Sequence, residues 1–377
     1  MEGKQTANRS IKKLNRSKIF QLIRSQENLT KQDLVFKLNL SLPTITQNLT
    51  QMIQCGLIQE SGFVGNTGGR SAKTYSLVRD AQVAIGLDIT KHHVIAVIID
   101  LYGTIIYKIR KRLVFERTDA YYQQLSAIVS ELIEQASIDP QKILGVGLGL
   151  PGLVCEGGSR IFYGKVLDLT NMTIDEIAKY IPYPASLHHD AYVAGFAETW
   201  MNPDSTMKNA FYVLINNSIG GSFIYKGEVY SGEMNRSAEI GHVKIIPNGR
   251  RCYCGGTGCT DPYISVSNLS ELTDGNLEAF FDLLSGGDPA AEAKWQNYLS
   301  YLTLAMHNIH ILLDCPVILG GYLGQYMGKY IDDLNQRVSE LDPFEDHCTY
   351  IQGCIYKNEA VAVGAALTYI DTFVNSI

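Results

Sequence analysis

Two stretches of the chain repeat one pattern of strands and turns, and this repetition limits the fold more than any other feature. Residues 83–112 predict two apolar strands joined by a short turn, then a hairpin at 100–103 and a third strand. Residues 211–232 predict an apolar strand, a polar turn, a second strand and a hairpin at 226–227. Since helices and buried strands follow both units, the repetition indicates two similar α/β lobes with a cleft between them, a favourable place for a ligand.

One histidine and three cysteines lie within eighteen residues, with the spacing H-x9-C-x-C-x4-C. They are His242, Cys252, Cys254 and Cys259. Imidazole and thiolate groups are ligands that tetrahedral Zn²⁺ prefers, and the glycines of this run allow tight turns. Because side chains fill all four positions, we expect Zn²⁺ as a structural cofactor. The alternative is a loop of free cysteines.

Charge is divided unequally along the chain. Residues 1–79 contain twelve Lys and Arg but only four Asp and Glu, which gives a net charge of +8. Because the whole chain carries −6, the remainder carries −14. A basic segment joined to an acidic one indicates that only the segment binds a polyanion.

Nothing in the sequence predicts a membrane partner. The apolar stretch at 83–106 is interrupted by charged residues, and the polar, basic N-terminus lacks the apolar region of a signal peptide. Eight cysteines, three of them in the metal-like cluster with a histidine, fit a reducing compartment better than a disulfide framework. We therefore expect a cytoplasmic protein.

The basic segment predicts a helix-turn-helix. Thr30 is expected to cap one helix and Ser41 a second, with a short turn at 39–40 between them. The second helix has an apolar face and a polar face. Short polar side chains on the polar face are candidates to contact bases and phosphates. These candidates are Ser41, Pro43, Thr44, Thr46, Gln47 and Asn48.

Two strands after the second helix predict a wing. The tip between them contains Gly68 and Gly69 followed by Arg70, which suits a narrow minor groove, and Lys73 begins the second strand. Residues 1–80 are therefore predicted to form a winged helix-turn-helix domain that binds operator DNA through Arg70, Lys73 and the second helix. The alternative is a three-helix domain that binds another protein.

Several runs together resemble the ROK family (repressor, open reading frame, kinase), in its winged-helix repressor branch that includes xylose and N-acetylglucosamine repressors. They are GLGLPGLV at 147–154, AEIGH at 238–242, VILGG at 317–321 and the loop that ends at Cys259 and Asp261. The resemblance covers almost the whole chain. It implies an actin-like, ribonuclease-H-like ATPase fold in two similar lobes, a homodimer or homotetramer, and a sugar in the cleft.

The resemblance also divides the chain. Residues 81–190 are expected to form the first lobe, and residues 191–358 the second lobe with the zinc loop at 241–261. A C-terminal helix at about 359–377 is expected to pack back on the first lobe.

Candidate sugar contacts follow from the same resemblance. Family kinases carry an Asn-Asp pair where this chain has His189 and Asp190, and their aspartate acts as a general base. Asp190 is expected to contact a sugar, to cap the helix that follows, or both. Four further side chains are expected to reach the same sugar: His189, Glu239, His242 and Asp261. Glu239 lies one turn before His242 if the segment is helical. The alternative for Glu239 and Asp261 is solvation at the surface.

The phosphate-binding loops of the family kinases are only partly kept. Family kinases carry a sequence similar to GxDxGGTK where this chain has GLDITKHH at 86–93. They carry one similar to GTGIGGG where this chain has NNSIGGS at 216–222. The lost glycines predict poor ATP binding, so no catalytic residue is expected.

The predicted function is a sugar-responsive repressor of genes for carbohydrate uptake or catabolism. The alternatives are an ATP-dependent sugar kinase with a fused DNA-binding domain and a repressor controlled by a partner protein.

Overall fold

The computed structural model describes residues 2–64, 71–201 and 208–377. The N-terminal module contains three helices and a three-stranded antiparallel sheet in the order β1-β3-β2. Its elements are α1 (Glu2–Ser25), β1 (Leu29–Thr30), α2 (Lys31–Leu38), α3 (Leu42–Gln54), β2 (Ile58–Val64) and β3 (Ala72–Leu77).

Both predicted helix caps of this module are present. Thr30 accepts a hydrogen bond from the Asp33 N–H, and the Asp33 carboxylate accepts one from the Thr30 N–H, so the two residues form a capping box. Ser41 accepts from the Thr44 N–H at the start of α3. These bonds satisfy backbone donors that a helix start otherwise leaves free.

The first large sheet has the strand order β10-β7-β4-β5-β6. Strands β4, β5 and β6 are antiparallel neighbours, whereas β7 and β10 run parallel to β4. The elements of this part are β4 (Val83–Ile89), β5 (His93–Ile99), β6 (Ile105–Arg112), α4 (Asp119–Ala136), β7 (Ile143–Leu150), β8 (Leu153–Val154), β9 (Ile161–Tyr163), α5 (Ile174–Ile177) and β10 (Ala185–His189).

The second large sheet repeats the topology of the first. Its order is β13-β12-β11-β14-β15, again with one antiparallel meander and two parallel strands around a central strand. The predicted repetition is confirmed. The remaining elements are α6 (Asp190–Met201), β11 (Ala210–Ile215), β12 (Ile219–Tyr225), β13 (Glu228–Tyr230), α7 (Asp261–Ile264), α8 (Val266–Ser270), α9 (Leu277–Ser285), α10 (Pro289–Leu313), β14 (Val317–Gly320), α11 (Gly321–Met327), α12 (Ile331–Ser339), β15 (Ile351–Gly353) and α13 (Ala360–Ser376).

Helices α6 and α13 pack against each other between the two sheets. Helix α13 lies on β4, β5 and β7, and α6 contacts β11 and β12. The packing is close because glycines stand at the contacts: a Cβ on Gly364 would lie 1.8 Å from Val193 O, and one on Gly86 would lie 1.8 Å from Ala362 O. The backbones themselves are therefore in contact at these points.

Helix α1 fastens the N-terminal module to the ends of these two central helices. Ser17 Oγ donates to Val374 O at 3.2 Å, and Gln21 Nε2 donates to Asn375 Oδ1 at 3.1 Å, both on α13. The guanidinium carbon of Arg24 lies 3.9 Å from the ring centre of Trp200, near the end of α6. Apolar residues of α1 and α13 also belong to one hydrophobic core.

Among the described residues, no helix combines the length and the apolar character that crossing a bilayer requires.

Gly364→Ala is expected to lower the free energy of unfolding by about 2 kcal/mol or more, because the new methyl group overlaps a backbone carbonyl. Denaturant unfolding measures this change. Gly328→Ala is the control, since nothing lies within 4 Å of its added Cβ and its backbone is right-handed helical. Equal stability of the two variants would contradict the close packing.

Candidate functional site

The four predicted metal ligands converge. The ligand atoms of His242, Cys252, Cys254 and Cys259 all lie within 4.8 Å of one another. Cys252 Sγ is 3.7 Å from His242 Nδ1, and the sulfur atoms of Cys254 and Cys259 are 3.8 Å apart. A tetrahedral site with metal–sulfur bonds of about 2.3 Å places its sulfur atoms roughly 3.8 Å apart. The distances therefore fit one metal ion held by these four side chains.

Short hydrogen bonds shape the cysteine loop. The Cys252 N–H donates to Gly256 O at 2.9 Å, and the Gly256 N–H donates to Cys254 Sγ at 3.4 Å. His242 reaches the loop from the end of a 3-10 helix, Ile240–His242. Because an N–H donor favours the thiolate over the thiol, this contact favours at Cys254 the form of cysteine that binds metals, whereas burial raises the pKa of Cys252 and of Cys259.

Four of the five predicted sugar contacts surround one small cavity, here called the acid cavity. They are His189, Asp190, Glu239 and His242. Strand β10 ends at His189 and α6 begins at Asp190, so the end of the first sheet and the start of a central helix place this pair in the wall. The side chains come together although 53 residues separate His189 from His242 in the sequence.

Asp190 lines the acid cavity, and its bond to the helix backbone is to the N–H of the next residue rather than to one two or three residues on, as in a helix cap. Its Oδ1 accepts from the Ala191 N–H at 2.7 Å and lies 3.3 Å from His189 Nε2. Helix α6 begins at Asp190 itself, one residue earlier than expected. Burial raises the pKa of Asp190 to about 7. Near neutral pH this group therefore exists both as a carboxylate, which accepts from a hydroxyl, and as an acid, which donates to one.

A second buried acid lies close to Asp190. Burial, and then the charge of Asp190, raise the pKa of Asp88 well above its usual value. Two carboxyl groups in this environment do not both ionise readily, because each charge disfavours the other.

Glu239 differs from the expectation that it stands one α-helical turn before His242. It precedes a 3-10 helix, and its backbone carbonyl accepts from the His242 N–H at 3.0 Å. Surface solvation is also wrong, because Glu239 Oε1 is buried and has no hydrogen-bond partner among the described residues. Burial raises the pKa of this carboxyl. A buried acceptor without a donor is costly, so the acid cavity offers an unused contact to a ligand.

Asp261 is buried as well, with 6% of its surface exposed, so surface solvation does not describe it either. Its Oδ2 accepts from the Ile219 N–H at 2.7 Å, and burial raises its pKa to about 6. Asp261 does not line the acid cavity. It lines a larger neighbouring space of about 930 Å³, here called the cleft cavity, which Asp190 also lines. Asp190 is therefore the predicted sugar contact that lines both cavities.

The sizes of the two cavities differ greatly. The acid cavity measures about 40 Å³, which is room for a water-sized group. A sugar ring that contacts Glu239 must therefore extend from the cleft cavity, or the two sheets must separate to admit it. Pro151, Lys165 and Ser218 line both cavities, so the spaces adjoin.

Tyr322 is a site residue that is not among those predicted from the sequence. Its N–H donates to Asn216 Oδ1 at 2.8 Å, and its hydroxyl donates to Thr90 Oγ1 at 3.4 Å. Thr90 and Asn216 belong to the two loops that resemble degenerate phosphate loops. One tyrosine therefore bridges the two loops across the cleft cavity. The signal available in the sequence was a bulky residue directly after VILGG.

The candidate DNA contacts on α3 are mostly on its outer surface. Ser41, Pro43 and Gln47 are exposed, and Thr44 and Thr46 are half-buried. Asn48 is a correction: it is 6% exposed, and its Nδ2 donates to Thr44 O at 2.8 Å. The reason is helical spacing, which puts position 48 on the same face as the core residues Ile45 and Met52.

The candidate contacts of the wing are only partly described. Lys73 is exposed on β3, where its Nζ forms an ion pair with Glu60 at 2.7 Å. An exposed pair of this kind contributes little and leaves the ammonium accessible to a phosphate. Arg70 lies outside the described residues.

Several named proteins similar to this chain are transcriptional regulators, and some of them are named repressors. The xylose repressor of Bacillus spizizenii (strain ATCC 23059 / NRRL B-14472 / W23) is 23% identical over 79% of this chain and 79% of its own length. The DNA-binding transcriptional dual regulator NagC of Escherichia coli (strain K12) is 23% identical over 67% of this chain and 62% of its own length. A Caldicellulosiruptor sp. (strain Rt8B.4) protein whose name refers to a xylose repressor is 23% identical, with 66% of its length matched. The match thus spans less than two thirds of the last two proteins.

Solved structures show the same fold. A ROK family transcriptional regulator, a homologue of the E. coli Mlc protein, matches 97% of both chains with a TM-score of 0.76 at 19% identity. A ROK family glucokinase from Streptomyces griseus, in complex with glucose and AMPPNP, matches 76% of this chain and 98% of its own with a TM-score of 0.66 at 19% identity. The first match includes the N-terminal module, whereas the second leaves about a quarter of this chain unmatched.

The model of the ROK family matches residues 84–371, which include both large sheets and the central helices. Together with the repeated topology and the cavities between the sheets, this match identifies the chain as a member of the ROK family.

Proposed function

We propose that this protein is a sugar-responsive transcriptional repressor of genes for carbohydrate uptake or catabolism. One observation carries the proposal. A basic module with an exposed polar helix is attached to a body in which Tyr322 bridges the two loops that resemble degenerate phosphate-binding loops. The names of similar proteins, among them xylose repressors and NagC, support this function.

The N-terminal module supplies the DNA-binding surface in this proposal. Its three helices and its β2–β3 hairpin suit a winged helix-turn-helix, with α3 in the major groove and the hairpin beside it. Ser41, Thr44, Thr46 and Gln47 near the start of α3 would meet the operator, and Lys73 would meet a phosphate. In a homodimer or homotetramer, two such modules bind successive half-sites in the cytoplasm.

Loss of kinase activity is part of the same proposal. The glycine-rich loops of the kinases hold phosphates with their backbone N–H groups, which must be free to approach the ligand. Here the Asn216 N–H already donates to Ser218 O at 3.2 Å, and the Tyr322 side chain crosses to Thr90. Asp190, at the position of the kinase base, then serves to bind the sugar without a chemical step.

Helix α6 provides a direct path from the sugar to the DNA-binding module. It begins at Asp190 in the acid cavity, and Trp200, near its other end, holds Arg24 of α1. Twelve helical residues span about 18 Å, so a shift at Asp190 reaches α1 through one rigid element. A sugar that binds one arrangement of the sheets better than another thus changes the position of the module.

We further propose that the cluster of His242, Cys252, Cys254 and Cys259 holds a structural Zn²⁺ ion. The ion would supply no chemistry to the sugar. It would fix the loop between Glu239 and Asp261, and thereby the walls of the acid and cleft cavities.

Binding to DNA is expected to fall steeply with salt, because Lys and Arg contacts release counterions from the phosphates. Fluorescence anisotropy with the DNA upstream of the gene measures it. Gln47→Ala should weaken binding about tenfold if Gln47 reads a base, as one bidentate contact contributes about 1–3 kcal/mol. Gln54→Ala, the same change at the other end of α3, is the control. Salt-independent binding, or equal losses in both variants, would sink the proposal.

Arg24→Ala is expected to uncouple the two binding events. Xylose or N-acetylglucosamine, the sugars in the names of similar proteins, should weaken DNA binding of the unmodified protein about 5–150-fold. In Arg24→Ala this effect should fall to about twofold or less, since α6 no longer holds α1 through Trp200. Anisotropy and calorimetry measure both affinities.

Lys13→Ala removes a positive charge from an exposed site on α1 and serves as the control for Arg24→Ala. It should keep the full response to sugar. A normal response in Arg24→Ala would rule out the path through α6.

Cys252→Ala is expected to lose both the metal and the response to sugar. Mass spectrometry of the metal content should give about one Zn²⁺ per chain in the unmodified protein and almost none in the variant, because three remaining ligands do not close the site. Cys55→Ala, at an exposed cysteine outside the cluster, should change neither quantity. A variant without zinc that keeps its response would leave the ion a purely structural role, remote from the sugar.

A further inference from the structure

A third cavity, here called the seam cavity, lies where the two sheets meet. It measures about 630 Å³, within the range of small-molecule sites. Strand β10, residues 155–158 and the C-terminal half of α13 form one wall. Strands β12 and β13 and residues 231–237 contribute the other. His189 lines both the seam cavity and the acid cavity, so the two spaces are neighbours.

The polar lining of the seam cavity is almost uncharged. Among the described residues that line it, none is Lys, Arg or Asp, and Glu156 at its exposed edge is the single acid. A phosphate or carboxylate would find no counter-charge here, and burying it would be costly. Hydroxyl groups both donate and accept, so they match the hydroxyls of a ligand. Those in the lining include Ser186, Tyr192, Ser231, Thr368, Tyr369 and Thr372.

His188 adds an uncharged imidazole to this wall. Its Nε2 lies 2.8 Å from Ser186 Oγ and 3.3 Å from Thr368 Oγ1, which connects β10 to α13. Burial lowers the pKa of His188 to about 4, so the ring is neutral at neutral pH. The connection holds polar groups in place at the cavity without introducing a net charge.

The cleft cavity has a different character. Lys91, Lys165, Arg250 and Arg251 all line it, whereas no such cation occurs among the described residues of the seam cavity. The two spaces therefore favour ligands of different charge, and the seam cavity is not a copy of the cleft cavity.

We propose that the seam cavity is a second binding site, for an uncharged polyhydroxylated ring such as a sugar without a phosphate or carboxylate. The ring is either a separate molecule or the second unit of an oligosaccharide. In the second case the first unit lies on the other side of His189 from the seam cavity. Because its walls belong to both sheets, a ligand in this site binds most tightly at one separation of the sheets.

Cys155 makes occupancy of the site measurable. It is a half-buried free cysteine in the lining, so a bound ring shields it from alkylation. The full-length protein with Cys55→Ser is treated with N-ethylmaleimide in the presence of xylose, glucose, N-acetylglucosamine, sucrose, maltose or cellobiose. Peptide mass spectrometry gives the rate at Cys155. At least one probe should slow this rate about tenfold at a concentration ten times its Kd.

Two tryptophan variants on α13 locate the shielding. Thr372 is exposed at the edge of the seam cavity, so Thr372→Trp should fill the opening and abolish the protection of Cys155. Ser376→Trp places the same side chain one turn further along, outside the lining, and should preserve the protection.

Asp190→Asn distinguishes the two sources of the ring. Protection that survives this change indicates a separate molecule, and protection lost with it, together with one disaccharide per chain in calorimetry, indicates an oligosaccharide that spans His189. Both outcomes support the site. Unchanged alkylation with every probe, or protection that persists in Thr372→Trp, would overturn it. Since the measurement involves no DNA, such a failure leaves the proposed repressor function untouched.

Discussion

The contact between α6 and α13 is the interaction on which the rest of the structure depends. At Gly364 and Val193 the two backbones touch, and at Gly86 the central strand of the first sheet lies directly on α13. Each helix carries one sheet on its outer side, so their spacing sets the spacing of the sheets. The walls of the cavities and the position of α1 follow from the same pair, because Asp190 and Trp200 stand near opposite ends of α6.

Several acids lie buried where the sheets meet, and this arrangement has a cost. Asp88, Asp190 and Glu239 all have pKa values raised by burial, and Glu239 Oε1 lacks a donor among the described residues. Such a group destabilises the folded state until a donor satisfies it. Binding sites often retain such unfavourable groups, since removing them would stabilise the fold but weaken the binding of the ligand. The pattern is consistent with a region selected to bind hydroxyl groups.

Local patterns in the sequence predicted much of the fold, and distant contacts explain most of the errors. The strand repeats, the caps at Thr30 and Ser41 and the convergence of the cysteine loop depend on residues that are near one another in the chain. The burial of Asn48 was also readable from helical spacing, but its amide suggested a base contact. Tyr322 forms hydrogen bonds with Asn216 and Thr90, which lie 106 and 232 positions before it in the chain. No local sequence pattern reveals contacts over such separations.

For the proposed repressor, the attachment of α1 has a consequence for the length of the operator. Ser17 and Gln21 bond to the end of α13, and Arg24 packs on Trp200, so the N-terminal module is attached to the body through direct contacts rather than through a linker alone. The distance between two copies of α3 in an assembly is then set by how the bodies associate. Counting the base pairs between the half-sites of an operator would therefore measure the geometry of a protein interface.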